Sequence, residues 1–158
     1  VTPVPLNDGE RRFLEDLKKY WETKGATHSG IQLYVMRNLT RGRGVGFFEA
    51  GNFYPDFIVW LVADSHQDIV FVDPKGLVHV PSNDPKVQFH KTIKELEERI
   101  AQPVGETVRL HSFILSRTKA ATLEEIWGME RTDIECLNVL FLDDAQYLEK
   151  LIAAVLVA

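Results

Sequence analysis

Apolar residues recur at helical spacing near the start of the chain, at Phe13, Leu14, Leu17, Tyr20 and Trp21. That period predicts an amphipathic helix from about Asp8 to Thr23, capped by Asn7 or Asp8 and stopped at Gly25. The pattern then changes. Ile31 to Met36 reads as a strand, Arg37 to Gly44 as a turn, and Val45 to Glu49 as a returning strand. After a second turn at Ala50-Gly51-Asn52, Asp56 to Ala63 is an almost wholly apolar strand. Asp64 to Gln67 is a tight polar turn, and Asp68 to Asp73 is the next strand. Apolar runs this continuous imply a sheet covered on both faces.

Beyond Gly76, a loop with Pro81 and Pro85 leads into a helix from about Lys86 to Ala101. Val87, Ile93, Leu96 and Ile100 form its buried stripe. Val108 to Leu115 is strongly β-prone, Thr122 to Trp127 a short helix, Leu137 to Leu142 a strand, and Ala145 to Val157 a closing helix. No repeat, low-complexity segment or internal linker interrupts this order. The expectation is one α/β domain over residues 1–158, with a mixed central sheet flanked by helices and a C-terminal strand-helix extension.

Composition narrows the setting. With 158 residues, 45 % of them apolar, the chain can bury one real core. It has no secretory signal and no apolar run near the ~18 residues of a membrane span, so no membrane partner is expected. The single cysteine, Cys136, excludes an internal disulfide and fits a reducing, cytoplasmic setting. It reads as a small buried apolar residue. A net charge of −5 argues against seizing nucleic acid by bulk electrostatics, unless other modules of a longer protein hold it. The opening at Val1 and the polar Asn7-Asp8-Gly9 fit an excised domain.

Chemistry gathers at two strand ends, Pro55-Asp56 and Asp73-Pro74-Lys75. Alternation along a strand puts Asp73 and Lys75 on one face with Ile69 and Phe71. If the two strands pair through the turn at Asp64 to Gln67, Asp56 lies beside Asp73. Two carboxylates and an ammonium group would then share a pocket. Mg²⁺ takes hard oxygen ligands of this kind, and it would polarise a phosphate and acidify a bound water. Lys75 would orient that water. Pro74 cannot donate to a ladder, so its position must be an edge or a bulge, and its carbonyl could be a further metal ligand. Lys86 and His90, near the start of the following helix, sit at the same edge of the sheet.

Other features read more plainly. Gly42-Arg43-Gly44-Val45-Gly46 has no following helix to make a phosphate loop of it, and is a hairpin turn. Arg37, Arg41 and Arg43 in that turn could grip a DNA backbone, a solvated turn being the other reading. The five histidines lack zinc spacing. Tyr34, Phe47, Phe48 and Tyr54 read as core, and Lys94 to Arg99 as a solvated helix face.

On Pro55-Asp56, Asp73-Pro74-Lys75 and Glu10-Arg11-Arg12-Phe13-Leu14, the chain resembles the PD-(D/E)xK nuclease superfamily. The stretches Phe53 to Val59, Val72 to Gly76 and Asp84-Pro85-Lys86 look more narrowly like the C-terminal endonuclease domain of type III restriction enzymes and related DEAD/DEAH-box helicases. The resemblance implies a restriction-endonuclease-like αβββαβ core and Mg²⁺-dependent DNA cleavage, with Mn²⁺ able to substitute. It also implies a helicase or translocase domain in the same polypeptide. Asp56, Asp73 and the Pro74 carbonyl would hold metal, Lys75 would be catalytic, and Glu10 would complete the site. The other expectation is a catalytically silent nuclease-fold module that binds DNA or protein.

Overall fold

The computed structural model describes residues 4–39, 43–100, 102 and 104–157. Its centre is one five-stranded mixed sheet in the order β1-β2-β3-β4-β5, formed by Gln32–Arg37, Phe57–Val62, His66–Lys75, Thr107–Ser116 and Val139–Phe141. The first three strands are antiparallel neighbours, whereas β4 runs parallel to β3 and β5 parallel to β4. Antiparallel strands need only a short turn, and here Ala63 N–H closes on the His66 carbonyl at 2.9 Å. A parallel pair needs a crossover. Helix α2 (Pro85–Arg99) joins β3 to β4, and α3 (Ala120–Trp127) with α4 (Arg131–Glu135) joins β4 to β5.

Helices cover both faces of the sheet. Phe13 and Leu17 of α1 (Asp8–Lys24) and Leu148, Leu151 and Ile152 of α5 (Tyr147–Val157) bury Phe57, Val59, Val70, Val72, Phe113 and Leu115. On the opposite face, Phe89 and Ile93 of α2 cover Ile58, Phe71 and Leu110. Leu123 and Ile134 of α3 and α4 extend that layer over Ile114, Val139 and Phe141. The odd and even positions of β3 and β4 therefore feed separate cores. This is why both strands are apolar almost throughout.

Several expectations are corrected. Residues 45–49 form no strand: Phe47 makes one isolated bridge to Phe53, and Phe48–Ala50 is a 3₁₀ turn. Their backbone groups are engaged elsewhere: the Asn38 side chain donates to the Val45 carbonyl at 2.7 Å and accepts from Val45 N–H at 3.0 Å, and Phe47 and Phe53 bond each other. Gly46 is also pressed against Tyr54, where a Cβ would stand 2.3 Å from the ring. Strand β3 runs to Lys75 rather than stopping at Asp73, because its parallel partner β4 is equally long. Helix α4 was not anticipated; five residues are too few to carry a period, and Arg131 pairs instead with Glu135 and Asp144. Cys136 is exposed rather than buried. Tyr34 and Phe48 lie outside the core, 54 % and 83 % exposed. The Lys94 to Arg99 face is not wholly solvated, since Glu97 accepts a 2.6 Å hydrogen bond from Leu110 N–H. Among the described residues no helix is long and apolar enough to cross a membrane.

Candidate functional site

The strand register sets the site. Phe57 pairs with Val72, so the next step outward places Asp56 opposite Asp73. Asp56 N–H donates to Asp73 Oδ1 at 3.2 Å, in place of the ladder bond the strand would otherwise continue. The other side of Asp56 is held by Asn38. Its N–H donates to the Asp56 carbonyl at 2.7 Å, and its Nδ2 donates to the Pro55 and Val45 carbonyls at 2.9 and 2.7 Å. Buried on all sides, Asn38 locks the Pro55-Asp56 corner to the end of β1.

Pro74 fits this strand for a definite reason. Lys75 accepts from Arg117 N–H on the β4 side at 2.9 Å. Backbone groups of successive strand residues point to opposite edges, so Pro74 addresses the β2 side. Strand β2 begins at Phe57, opposite Val72, and offers no carbonyl that far out. The missing N–H of proline therefore costs no hydrogen bond. Its carbonyl is directed to the same edge, toward Asp56.

Glu10 reaches the site from α1 through a capping box. Asn7 Oδ1 accepts from Glu10 N–H and Glu10 Oε2 accepts from Asn7 N–H, both at 2.9 Å. That reciprocal pair turns the Glu10 side chain back toward the helix start, where it is only 7 % exposed. Arg37 Nη2 lies 3.3 Å from Glu10 Oε2. Lys75 Nζ stands 3.9 Å from Asp73 Oδ2. Lys86, in the first turn of α2, faces them. Glu10, Asp56, Asp73, Lys75 and Lys86 line a cleft of about 470 Å³ at the carboxyl ends of β3 and β4, with Asn7, Asn52, Tyr54, Pro74 and Arg117.

The electrostatics follow from the crowding. Burial, then the charges of Asp73 and Glu10, push the Asp56 carboxyl up to about 7, with Arg37 pulling the other way. Burial also pushes Asp73 up to about 6, against the lowering influence of Lys75, the Asp56 N–H and Lys86. Burial pushes the Lys75 ammonium down; Asp73 opposes this and Lys86 adds to it. Groups this perturbed, gathered in a cleft, mark a place where protons and charge can be exchanged.

Both carboxyls have folded-state values above the ordinary value of about 4. Between about pH 4 and pH 7 the folded chain therefore holds protons that the unfolded chain has released, and stability falls as pH rises across that window. Asp56→Asn is expected to raise unfolding stability at pH 8 in EDTA by on the order of 1 kcal/mol, solvent screening included, and to flatten this pH dependence. Urea midpoints at pH 5 and pH 8 measure it. A lower midpoint at pH 8 would overturn this account of the pair.

The remaining residues of interest divide. Glu10, Asp56, Asp73, Pro74, Lys75 and Lys86 share the cleft. His90 does not line it; one turn further along α2, its Nδ1 lies 2.9 Å from the Val87 carbonyl. Arg43 is exposed in the bend before β2, and Arg41 lies outside the described residues. Glu15 and Glu49 compete with Glu10 for the role by sequence alone, and Glu15 is on the exposed face of α1. Arg37, expected in the turn, is the last residue of β1 and pairs with Glu10, whereas Asn38 and Arg117 were missed, because only strand pairing brings them to Asp56 and Lys75. The Asn7-x-x-Glu10 spacing was a readable sign that Glu10 folds back. Comparison of the chain with protein-family models and with curated proteins returns no match.

Proposed function

We propose that this chain is a metal-dependent endodeoxyribonuclease domain of restriction-endonuclease-like fold, hydrolysing phosphodiester bonds beside a linked helicase or translocase. The observation that carries the reading is the crowding of two carboxyls, raised by burial, against Lys75 at the open end of a sheet. Carboxyls forced together in this way keep their protons until a cation replaces them. The donor set suits a hard divalent ion, being oxygen throughout. Asp56, Asp73 and the Pro74 carbonyl would hold Mg²⁺ or Mn²⁺, which when bound polarises a phosphate and acidifies a water. Among the described residues no group of three or more His, Cys, Asp or Glu side chains is placed to hold a metal ion. The proposed set is accordingly two carboxylates and a main-chain oxygen.

The chain's own groups then take distinct parts. Lys75 orients the attacking water and offsets negative charge growing on the phosphate. Its lowered pKa brings proton transfer at Nζ closer to mild pH. Glu10 adds negative field at Asp56 and anchors Arg37. Lys86 meets the phosphate backbone at the mouth of the cleft.

The test is metal binding and nicking together. Calorimetric titration with Mn²⁺ is expected to show a site that vanishes with Asp56→Asn. Its affinity should rise with pH through about 6 to 7, because binding expels the protons held there. Supercoiled DNA should be nicked with Mg²⁺ or Mn²⁺ and not in EDTA. A second reading, a silent module of the same fold that docks DNA or protein, is favoured by the net charge of −5. No metal uptake and no nicking would establish that reading over cleavage.

A further inference from the structure

Arg117 follows the last residue of β4 and lines two adjoining hollows. One is the carboxylate cleft; the other is a groove shared with Arg12, Lys119, Asp8 and Asp143. Its N–H donates to the Lys75 carbonyl at 2.9 Å, which ties it to the strand end that bears Lys75. Its side chain lies across the first turn of α1. A Cβ on Gly9 would come within 2.9 Å of Arg117 Cδ, so the glycine leaves the room in which that stem rests.

The charge of Arg117 is unused by the fold. Arg12 pairs with Asp16, Arg37 with Glu10, Arg109 with Asp68, and Arg131 with Glu135. Arg117 is exposed, and among the described residues its guanidinium has neither ion pair nor hydrogen bond. Around it the groove carries Arg12 and Lys119 against Asp8 and Asp143, so the one unbalanced positive charge of the groove is that of Arg117 itself. A guanidinium held by its stem and left free at its fork is matched to a phosphate, which it can meet through two parallel hydrogen bonds.

We infer that Arg117 holds the phosphate adjoining the one in the carboxylate cleft, so that the bound strand leaves the site over β4 and the start of α1. This rests on the cleavage reading above, and it adds a direction for the polynucleotide and a binding residue for it. Arg117 does not act on the reacting atoms. Its removal should weaken binding and leave the rate at saturation unchanged.

Fluorescence anisotropy of a labelled DNA duplex in EDTA, over a salt series, tests this. Arg117→Ala is expected to weaken binding about tenfold, as losing one charge-assisted hydrogen bond does. It should also reduce the slope of log K against log salt by about 1. Arg117→Lys should keep that slope. Arg99→Ala, on the far end of α2, removes the same charge elsewhere and should leave both quantities near the parent values. Equal slopes for Arg117→Ala and Arg99→Ala, in a parent that cuts DNA, would overturn the role of Arg117 alone. A parent that neither binds nor cuts DNA would overturn both this inference and the function beneath it.

Discussion

Replacing Lys75 with alanine is expected to slow Mg²⁺-dependent DNA cleavage by about 10²–10³-fold, the loss seen when one preorganised charged donor is removed from an active site. The reason lies in where the ammonium stands. Nζ is 3.9 Å from Asp73 Oδ2 and only 26 % of the side chain is exposed, so its charge acts through little water. Charge develops on the phosphate during attack, and losing an interaction that strengthens at that moment lowers kcat more than it raises KM. The effect on KM should therefore be small. The fold should survive, because Lys75 is the last residue of β3 and supports no core cluster. Loss of Lys75 also removes an influence that lowers Asp73, so the metal affinity of the variant should shift to higher pH. Single-turnover cleavage at saturating DNA, with circular dichroism as the check on folding, measures this. A folded Lys75→Ala chain that cuts within threefold of the parent would remove Lys75 from the chemistry.

The site was legible wherever its logic is local to a strand. Period-2 alternation and a short turn are enough to face Asp56 toward Asp73, and the N–H to Oδ1 contact between them is the result. The difficulty with Pro74 disappears only once the unequal lengths of β2 and β3 are known, and apolar patterning does not give strand ends to a residue. The Val45 to Glu49 segment looks like a strand by composition, but the Asn38 side chain takes both backbone groups of Val45 and Phe47 pairs only with Phe53. Arg117 was invisible for a similar reason. It reaches the cleft through pairing with a strand distant in the chain, and a lone arginine carries no sign of its partner. Asp68 is the clearest case. It read as the polar start of a strand, yet it is fully buried, with its partners about forty residues on in β4.

Asp68→Ala is accordingly expected to destabilise the fold by about 3 kcal/mol, the low end of the cost of breaking a buried ion pair from one side. Asp68 Oδ1 accepts from Arg109 Nε at 2.7 Å, Oδ2 accepts from Arg109 Nη2 at 2.8 Å, and His111 Nε2 lies 2.8 Å from Oδ1. Removing the carboxylate leaves the Arg109 guanidinium and the His111 and His66 imidazoles facing the space it filled. Arg109 is 20 % exposed and recovers some hydration, which keeps the cost from the upper end of the range. Burial pushes the Asp68 carboxyl up, but hydrogen bonds from His111 and Arg109 and the guanidinium charge outweigh it and hold it below its ordinary value. A lowered carboxylate contributes stability above its unfolded value of about 4 and loses it as pH falls through the folded one. Asp68→Ala should thus lose most at neutral pH and converge on the parent in strong acid, the opposite trend to the Asp56 and Asp73 pair. The two ends of β3 are separable in activity as well. Asp68 lies five residues from Asp73, roughly 16 Å at about 3.3 Å per residue, so the variant should bind Mn²⁺ normally wherever it is folded. Urea unfolding at pH 7, with Mn²⁺ titration below the transition, reads both quantities. A loss under about 1 kcal/mol would mean that the Arg109 and His111 groups are solvated without Asp68, and that the cluster does not hold this end of the sheet.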